Sequence, residues 1–191
     1  MRIEEFRVLY AAHKQGEKIT LESLAEKSGY EQSKTQEIVE ELTGKGWFQD
    51  GITETGYENL NQYKVDNAVI MAAGFGLRSF PLSRIVPKGL YVVKGEVLIE
   101  RQIRQLKEAG IQEIIVVVGY LKEQFQYLKE KYGVIIVEND DYYRYNNISS
   151  LYAVKEYLKN SFICCSDNYF NKNIFEEYVY DSYYSCKYTE G

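Results

Sequence analysis

Apolar residues recur at three- and four-residue spacing in EEFRVLYAAHKQ, LESLAEKSG and SKTQEIVEEL, which predicts three amphipathic helices within residues 1–63. Thr20 and Ser33 stand where N-caps belong, Ser28-Gly29 separates the second helix from the third, and Gly44 and Gly46 end the third. Trp47-Phe48 and Ile52-Thr53 flank Asp50-Gly51, a dipeptide that tolerates the positive φ of a two-residue turn, so a small hairpin is expected there. From Lys64 onward the pattern changes. AVIMAA (68–73), EIIVVVG (113–119), VIIVEN (134–139) and SFICCSD (161–167) are continuous apolar runs, as expected of strands buried on both faces. Between them lie the helical segments VLIERQIRQLKEAG, LKEQFQYLKEKYG and ISSLYAVKEYLKN, each ending at glycine or asparagine.

Strand alternating with helix predicts a mostly parallel, Rossmann-like α/β sheet over 64–191, with any ligand at the carboxyl ends of its strands. The last stretch, SYYSCKY, reads as a further strand that the chain leaves unfinished. The first 63 residues resemble a winged helix-turn-helix domain. They carry seven basic against twelve acidic residues, a net charge of −5, whereas the rest of the chain is balanced. The third helix presents Glu31, Glu37, Glu40 and Glu41 against Lys34. DNA binding requires a positive face toward the phosphates and is disfavoured by this balance. Homodimer contacts, or packing on the neighbouring domain, fit it better, although Arg2, Arg7 and Lys45 could form a local basic patch.

Composition removes several classes of chemistry. Three cysteines, two of them adjacent at Cys164 and Cys165, give neither a disulfide framework nor a C-x-x-C pair, and with a single histidine, His13, a Ser-His-Asp triad and a zinc site are both disfavoured. No apolar run approaches the roughly 18 residues of a membrane span. The acidic start MRIEEF is unlike a signal peptide, so a cytoplasmic protein is expected.

The chemistry concentrates in MAAGFGLRSFP, at the carboxyl end of the first strand. Gly74, Gly76 and Ser79 nearly spell a dinucleotide fingerprint. That motif must open into a helix, and Pro81 and Pro87 fall in the following dozen residues, so the loop after Gly76 is expected to be long and extended. A P-loop is absent because Lys88 is followed by Gly89 and Leu90. What fits is a glycine turn whose backbone N–H groups wrap a triphosphate, followed by an extended arm that carries Arg78 and Lys88 toward it.

The string A-A-G-x-G-x-R-x-x-P from Ala72 to Pro81, with Pro87-Lys88-x-Leu90 after it, resembles the signature of nucleotidyltransferases that include the sugar-nucleotide pyrophosphorylases. VVVGYLKEQFQYLKEKYGV and YNNISSLYAVKEYL narrow the resemblance to bacterial CTP:phosphocholine cytidylyltransferases, from about Asn67 onward. Met71, where an aliphatic residue is usual, and Val97, where a proline often stands, are modest departures.

This resemblance implies that Ala72, Ala73, Gly74, Phe75, Gly76 and Lys88 hold the CTP phosphates, and that Asp167 binds Mg²⁺. It implies further that Asn146, Asn147 and Ser149 lie near the base. Lys88 and Arg78 would neutralise the charge that develops as a phosphate monoester attacks the α-phosphorus. Plainer roles stand beside these: Asp167 could cap a helix, Lys88 could be a solvated lysine, and the asparagine-serine cluster could be only an N-cap. The resemblance also implies a second metal carboxylate and part of the choline pocket beyond Gly191, from which weak turnover of phosphocholine by this chain is expected. The 19 tyrosines do not by themselves make an aromatic cage for choline. A sugar-1-phosphate nucleotidylyltransferase and a nucleotide-responsive DNA-binding regulator are the alternative functions.

Overall fold

The structure is a computed structural model that describes residues 1–16 and 19–184, apart from the side chain of Asn146. The chain forms two compact units, one built from Met1–Lys64 and the segment from Tyr178, the other from Val65–Glu177.

The first unit contains α1 (Ile3–His13), α2 (Leu21–Ser28), α3 (Gln32–Gly44) and α4 (Glu54–Asn61). Thr20 caps α2 by accepting the Ser23 N–H, and Gly29, at φ 77°, ends it in the left-handed conformation that glycine adopts without penalty. The residue before α3 is Glu31, not Ser33, so the third helix starts earlier than its capping chemistry suggests. The expected hairpin reduces to one antiparallel bridge, Phe48 to Ile52, around Asp50 at φ 54°. Three residues separate its ends, so the two-residue turn is corrected to a three-residue one, closed by the Gln49 N–H on the Gly51 carbonyl at 2.8 Å.

Helix α4 was not anticipated. It is started by Thr53, whose hydroxyl accepts the Gly56 N–H at 3.0 Å, in a stretch whose polar composition hides its periodicity. The core gathers Phe6, Leu9, Ile38, Leu42 and Leu60 around Tyr178, which is only 3% exposed and donates to Asn61 Oδ1 at 2.9 Å. The expectation that everything after Lys64 belongs to the second unit is thereby corrected. Aromatic packing returns the chain to the first unit at Tyr178, and Tyr180 stacks on Tyr63 at 5.3 Å. Of the expected strand SYYSCKY, residues 185–188 lie outside the described residues.

The second unit is a four-stranded parallel sheet with strands β1 (Asn67–Ala72), β4 (Glu113–Val118), β5 (Ile135–Glu138) and β6 (Ser161–Cys165), in the order β5-β4-β1-β6. A short ribbon of β2 (Val92–Val93) and β3 (Glu96–Val97) precedes α5 (Leu98–Glu108). Helix α6 (Tyr127–Tyr132) and helix α7 (Asn146–Ala153) complete the crossovers. Ala68, Val69 and Ile70 in β1 and Val116, Val117 and Val118 in β4 are fully buried, which is why these strands read as unbroken apolar runs.

Three expectations are modified. The helix expected over LKEQFQYLKEKYG opens as a 3₁₀ turn, Lys122–Phe125, and α6 follows it. The helix predicted from Ile148 begins at Asn146 and stops at Ala153, and a 3₁₀ turn follows the fully buried Val154. The loop after Gly76 is not extended: it coils into three 3₁₀ turns, Leu77–Ser79, Leu82–Arg84 and Lys88–Leu90. Pro81 and Pro87 immediately precede the second and third. At the start of a turn the missing proline N–H costs nothing, so residues that forbid a long helix permit short ones.

Candidate active site

Strand order reverses between β1 and β6, because the chain moves outward from β1 to β4 and β5 and then returns to the other side of β1. Ligands of open α/β sheets bind at such a reversal, beyond the carboxyl ends of the strands. Both candidate phosphate-binding segments emerge there. Met71 pairs with Cys165 in register, and the Ser166 N–H extends the pairing onto the Met71 carbonyl at 3.1 Å. The glycine turn after β1 and Asp167 after β6 therefore leave the sheet side by side.

Ala72 and Ala73 are buried, and the Ala73 carbonyl accepts the Tyr120 N–H at 3.1 Å, which anchors the base of the glycine turn. Around Gly74 no heavy atom lies within 4 Å of where a side chain would begin, so its backbone is open to a ligand. Gly76 has φ 64°, and a methyl there would lie 3.0–3.3 Å from the Lys88 Cγ, Cδ and Cε atoms. The lysine stem is thus laid against the glycine turn. Its ammonium reaches 3.6 Å from Asp167 Oδ2, with the side chains 22% and 42% exposed. A methyl on Gly89 would sit 2.9 Å from Ser166 Cβ, so the turn after Lys88 is pressed onto the turn that bears Asp167.

The structure thus brings Gly76, Lys88 and Asp167 together. A partly solvated ion pair of this kind contributes only about 0–1 kcal/mol to folding. Its value is a cation and an anion held ready at the edge of an open backbone cradle. Arg78 lies on the first 3₁₀ turn, is exposed, and has no ionic partner among the described residues.

Phe75 points into an aromatic group that sequence reasoning missed, with ring centroids 5.0 Å from both Tyr120 and Tyr142. Gly119 belongs to the same packing, since a methyl on it would lie 2.8 Å from the Tyr142 ring and 2.9 Å from the Ala73 carbonyl. Asn147 is exposed in the first turn of α7. Ser149 is engaged structurally: the buried Asn139 amide donates to Ser149 Oγ at 2.9 Å and to Ser150 Oγ at 3.1 Å, which ties α7 to the end of β5. The side chain of Asn146 lies outside the described residues.

Thiol chemistry is disfavoured here. Burial pushes the Cys164 thiol up to about 12, and burial together with the Asp167 charge raises that of Cys165, so both remain protonated. Among the described residues no group of three or more His, Cys, Asp or Glu could hold a metal by itself. A lone carboxylate beside a phosphate cradle suits Mg²⁺, which keeps waters and binds through one or two carboxylates plus substrate phosphates.

A parallel sheet with a glycine turn, a lysine and an aspartate meeting at its switch point defines an α/β nucleotidyltransferase fold. The MobA-like NTP transferase domain matches residues 68–179, and the chain belongs to that family. Choline-phosphate cytidylyltransferase of Streptococcus pneumoniae is 54% identical over 123 residues, covering 64% of this chain and 54% of that protein. 2-Aminoethylphosphonate cytidylyltransferase of Lancefieldella rimae is 52% identical over 104 residues, covering 53% and 42%. A solved structure of the Streptococcus pneumoniae CTP:phosphocholine cytidylyltransferase is 57% identical, with a TM-score of 0.57 over 58% of this chain and 49% of that one. The chain spans about half the length of the curated relatives it matches. Among the described residues no helix is long and apolar enough to cross a membrane.

Proposed function

We propose that the second unit transfers CMP from CTP to phosphocholine and releases pyrophosphate. The observation that carries this reading is the juxtaposition of Lys88, Gly76 and Asp167 at the switch point between β1 and β6. An oxygen of the acceptor phosphate forms a new bond to the α-phosphorus while the bond from that phosphorus to the bridging β-oxygen breaks. Little covalent work falls to the protein, and the rate comes from positioning and charge neutralisation. The glycine turn offers N–H groups to the triphosphate. Lys88 sets its ammonium against the reacting phosphate oxygens, and Arg78, on its exposed turn, steadies the departing pyrophosphate.

Asp167 is assigned to hold Mg²⁺, which when bound spreads the negative charge of the phosphates and polarises them. Lys88 lies beside that carboxylate at 3.6 Å, so both charges face the same phosphates. Asn146, Asn147 and Ser149 are assigned to the base end of the nucleotide, with Ser149 acting from a position already fixed by Asn139.

The acceptor carries a second reading, favoured by the likeness to an enzyme of 2-aminoethylphosphonate. Both acceptors place an ammonium a short alkyl arm from a phosphoryl oxyanion, and a sugar phosphate lacks that cation. Pyrophosphate release with CTP, UTP, dTTP and ATP against phosphocholine, 2-aminoethylphosphonate and a sugar 1-phosphate separates them. The proposal predicts CTP with phosphocholine as the fastest pair. A preference for a sugar 1-phosphate, or no binding of CTP, overturns it.

For the first unit we propose a winged helix-turn-helix domain used for contacts other than DNA, in a cytoplasmic protein. Its exposed third-helix carboxylates Glu37, Glu40 and Glu41, with Glu31 just before the helix, support this use. Duplex binding with a steep salt dependence would restore the DNA-binding reading, and sedimentation tests the homodimer.

A further inference from the structure

Asp167 sits at the centre of a turn whose two ends are held by one side chain. The Asn168 N–H closes the turn on the Cys165 carbonyl at 3.3 Å, with Ser166 and Asp167 between them. Gln102, on α5 and only 1% exposed, donates from its Nε2 to the Cys165 carbonyl and to the Asn168 carbonyl, each at 2.8 Å. The first and last carbonyls of the turn are thus clipped to the same amide.

Two neighbours on α5 hold the segment that follows. Gln105 donates to the Phe170 carbonyl at 3.2 Å, and the Arg101 guanidinium donates to the Phe170 and Asn171 carbonyls. Among the described side chains, Gln102 alone reaches both ends of the Asp167 turn. Its Oε1 is buried with no protein partner among the described residues, so both of its amide's contacts go to the turn.

We infer that Gln102 is a positioning residue that fixes the Asp167 carboxylate for a divalent cation, acting through the backbone of the turn. This rests on the assignment of Asp167 to Mg²⁺ above. The physical need is clear from exposure: the Asp167 side chain is 42% exposed, and its one ionic partner among the described residues, Lys88, lies 3.6 Å away, beyond hydrogen-bond distance. A carboxylate so placed directs a cation only if its backbone is held. Partners that orient a metal ligand in this way typically change metal affinity by about 10–100-fold when removed.

The test measures CTP affinity by calorimetry across a Mg²⁺ series in the full chain, with unliganded melting temperature recorded beside it. Gln102→Met keeps the volume and drops both donors, and Gln102→Glu keeps the shape and sets a carboxylate against two carbonyl oxygens. In both, the Mg²⁺ concentration that half-maximally tightens CTP should rise about 10–100-fold, while CTP affinity without Mg²⁺ stays within about twofold of the parent. Asp167→Asn should lose the Mg²⁺ effect, and adding Gln102→Met to it should change nothing further. If neither Gln102 variant folds, Gln102→His, which retains a single N–H donor, should show a smaller shift in the same direction. Parental Mg²⁺ dependence in Asp167→Asn would remove the metal assignment and this inference with it. Loss of that dependence in Asp167→Asn, but not in a folded Gln102 variant, would overturn the inference alone.

Discussion

The Lys88 ammonium lies 3.6 Å from the Asp167 carboxylate, while the lysine stem covers Gly76 closely enough that a methyl there would come 3.0 Å from its Cγ. One side chain therefore connects the turn after β1 to the turn after β6. Lys88→Ala should weaken CTP binding by about 10–100-fold yet shift stability by no more than about 1 kcal/mol, since exposed ion pairs contribute little to folding. Calorimetry and thermal melting of the same variant read the two effects separately. Unchanged CTP affinity would return Lys88 to a surface role.

The two glycines of the turn should respond differently to alanine. At Gly76 the φ of 64° and the Lys88 stem make any side chain strained, so Gly76→Ala should cost about 1–2 kcal/mol of stability. At Gly74 a methyl would meet nothing within 4 Å beyond its chain neighbours and φ lies outside the left-handed region, so Gly74→Ala should leave the melting temperature nearly unchanged. Its effect should appear in CTP affinity, because a methyl would occupy space the phosphates approach. A stability loss at Gly74 equal to that at Gly76 would contradict this division.

Glu100 sets an acid limit on the second unit. Burial pushes its carboxyl upward, but hydrogen bonds from Lys131 at 2.8 Å, Tyr127 at 2.9 Å and Tyr132 at 2.9 Å outweigh that and hold it below the ordinary range. A depressed folded-state value means stability that is fully present above the unfolded value near 4.5 and is lost as pH falls through the lower folded value. Glu100→Gln should therefore cost about 1–3 kcal/mol near neutrality and flatten the loss of stability below pH of about 4.5. Melting curves of parent and variant from pH 7 to pH 3 measure the difference, and parallel curves would refute the role of Glu100.

Tyr178 should matter to the first unit although it follows the whole sheet in sequence. It is 3% exposed, and its hydroxyl donates to Asn61 at 2.9 Å. Tyr178→Ala should cost about 3–5 kcal/mol and Tyr178→Phe about 1 kcal/mol. Hydrogen exchange in α1 and α4 reads where the loss falls. Faster exchange confined to the second unit would contradict the placement.

The sequence by itself determined the parallel α/β unit and the location of its chemistry, because both depend on local physics. Unbroken runs such as EIIVVVG identify strands buried on two faces, and Gly74-x-Gly76 followed by Arg78, Pro81 and Lys88 singles out the turn after the first strand as the candidate phosphate site. The tertiary structure alone decided what depends on register and return of the chain. That Lys88 meets Asp167 follows from β6 pairing with β1, and Gln102 reaches both ends of the Asp167 turn only once α5 packs beside it. Tyr178 joins the first unit because the aromatic surface that fits it is there, and no sequence neighbour of Tyr178 carries that information. Local propensity is written residue by residue, whereas these distances arise from pairings between segments far apart in the chain, which burial and hydrogen bonding settle only in the folded state.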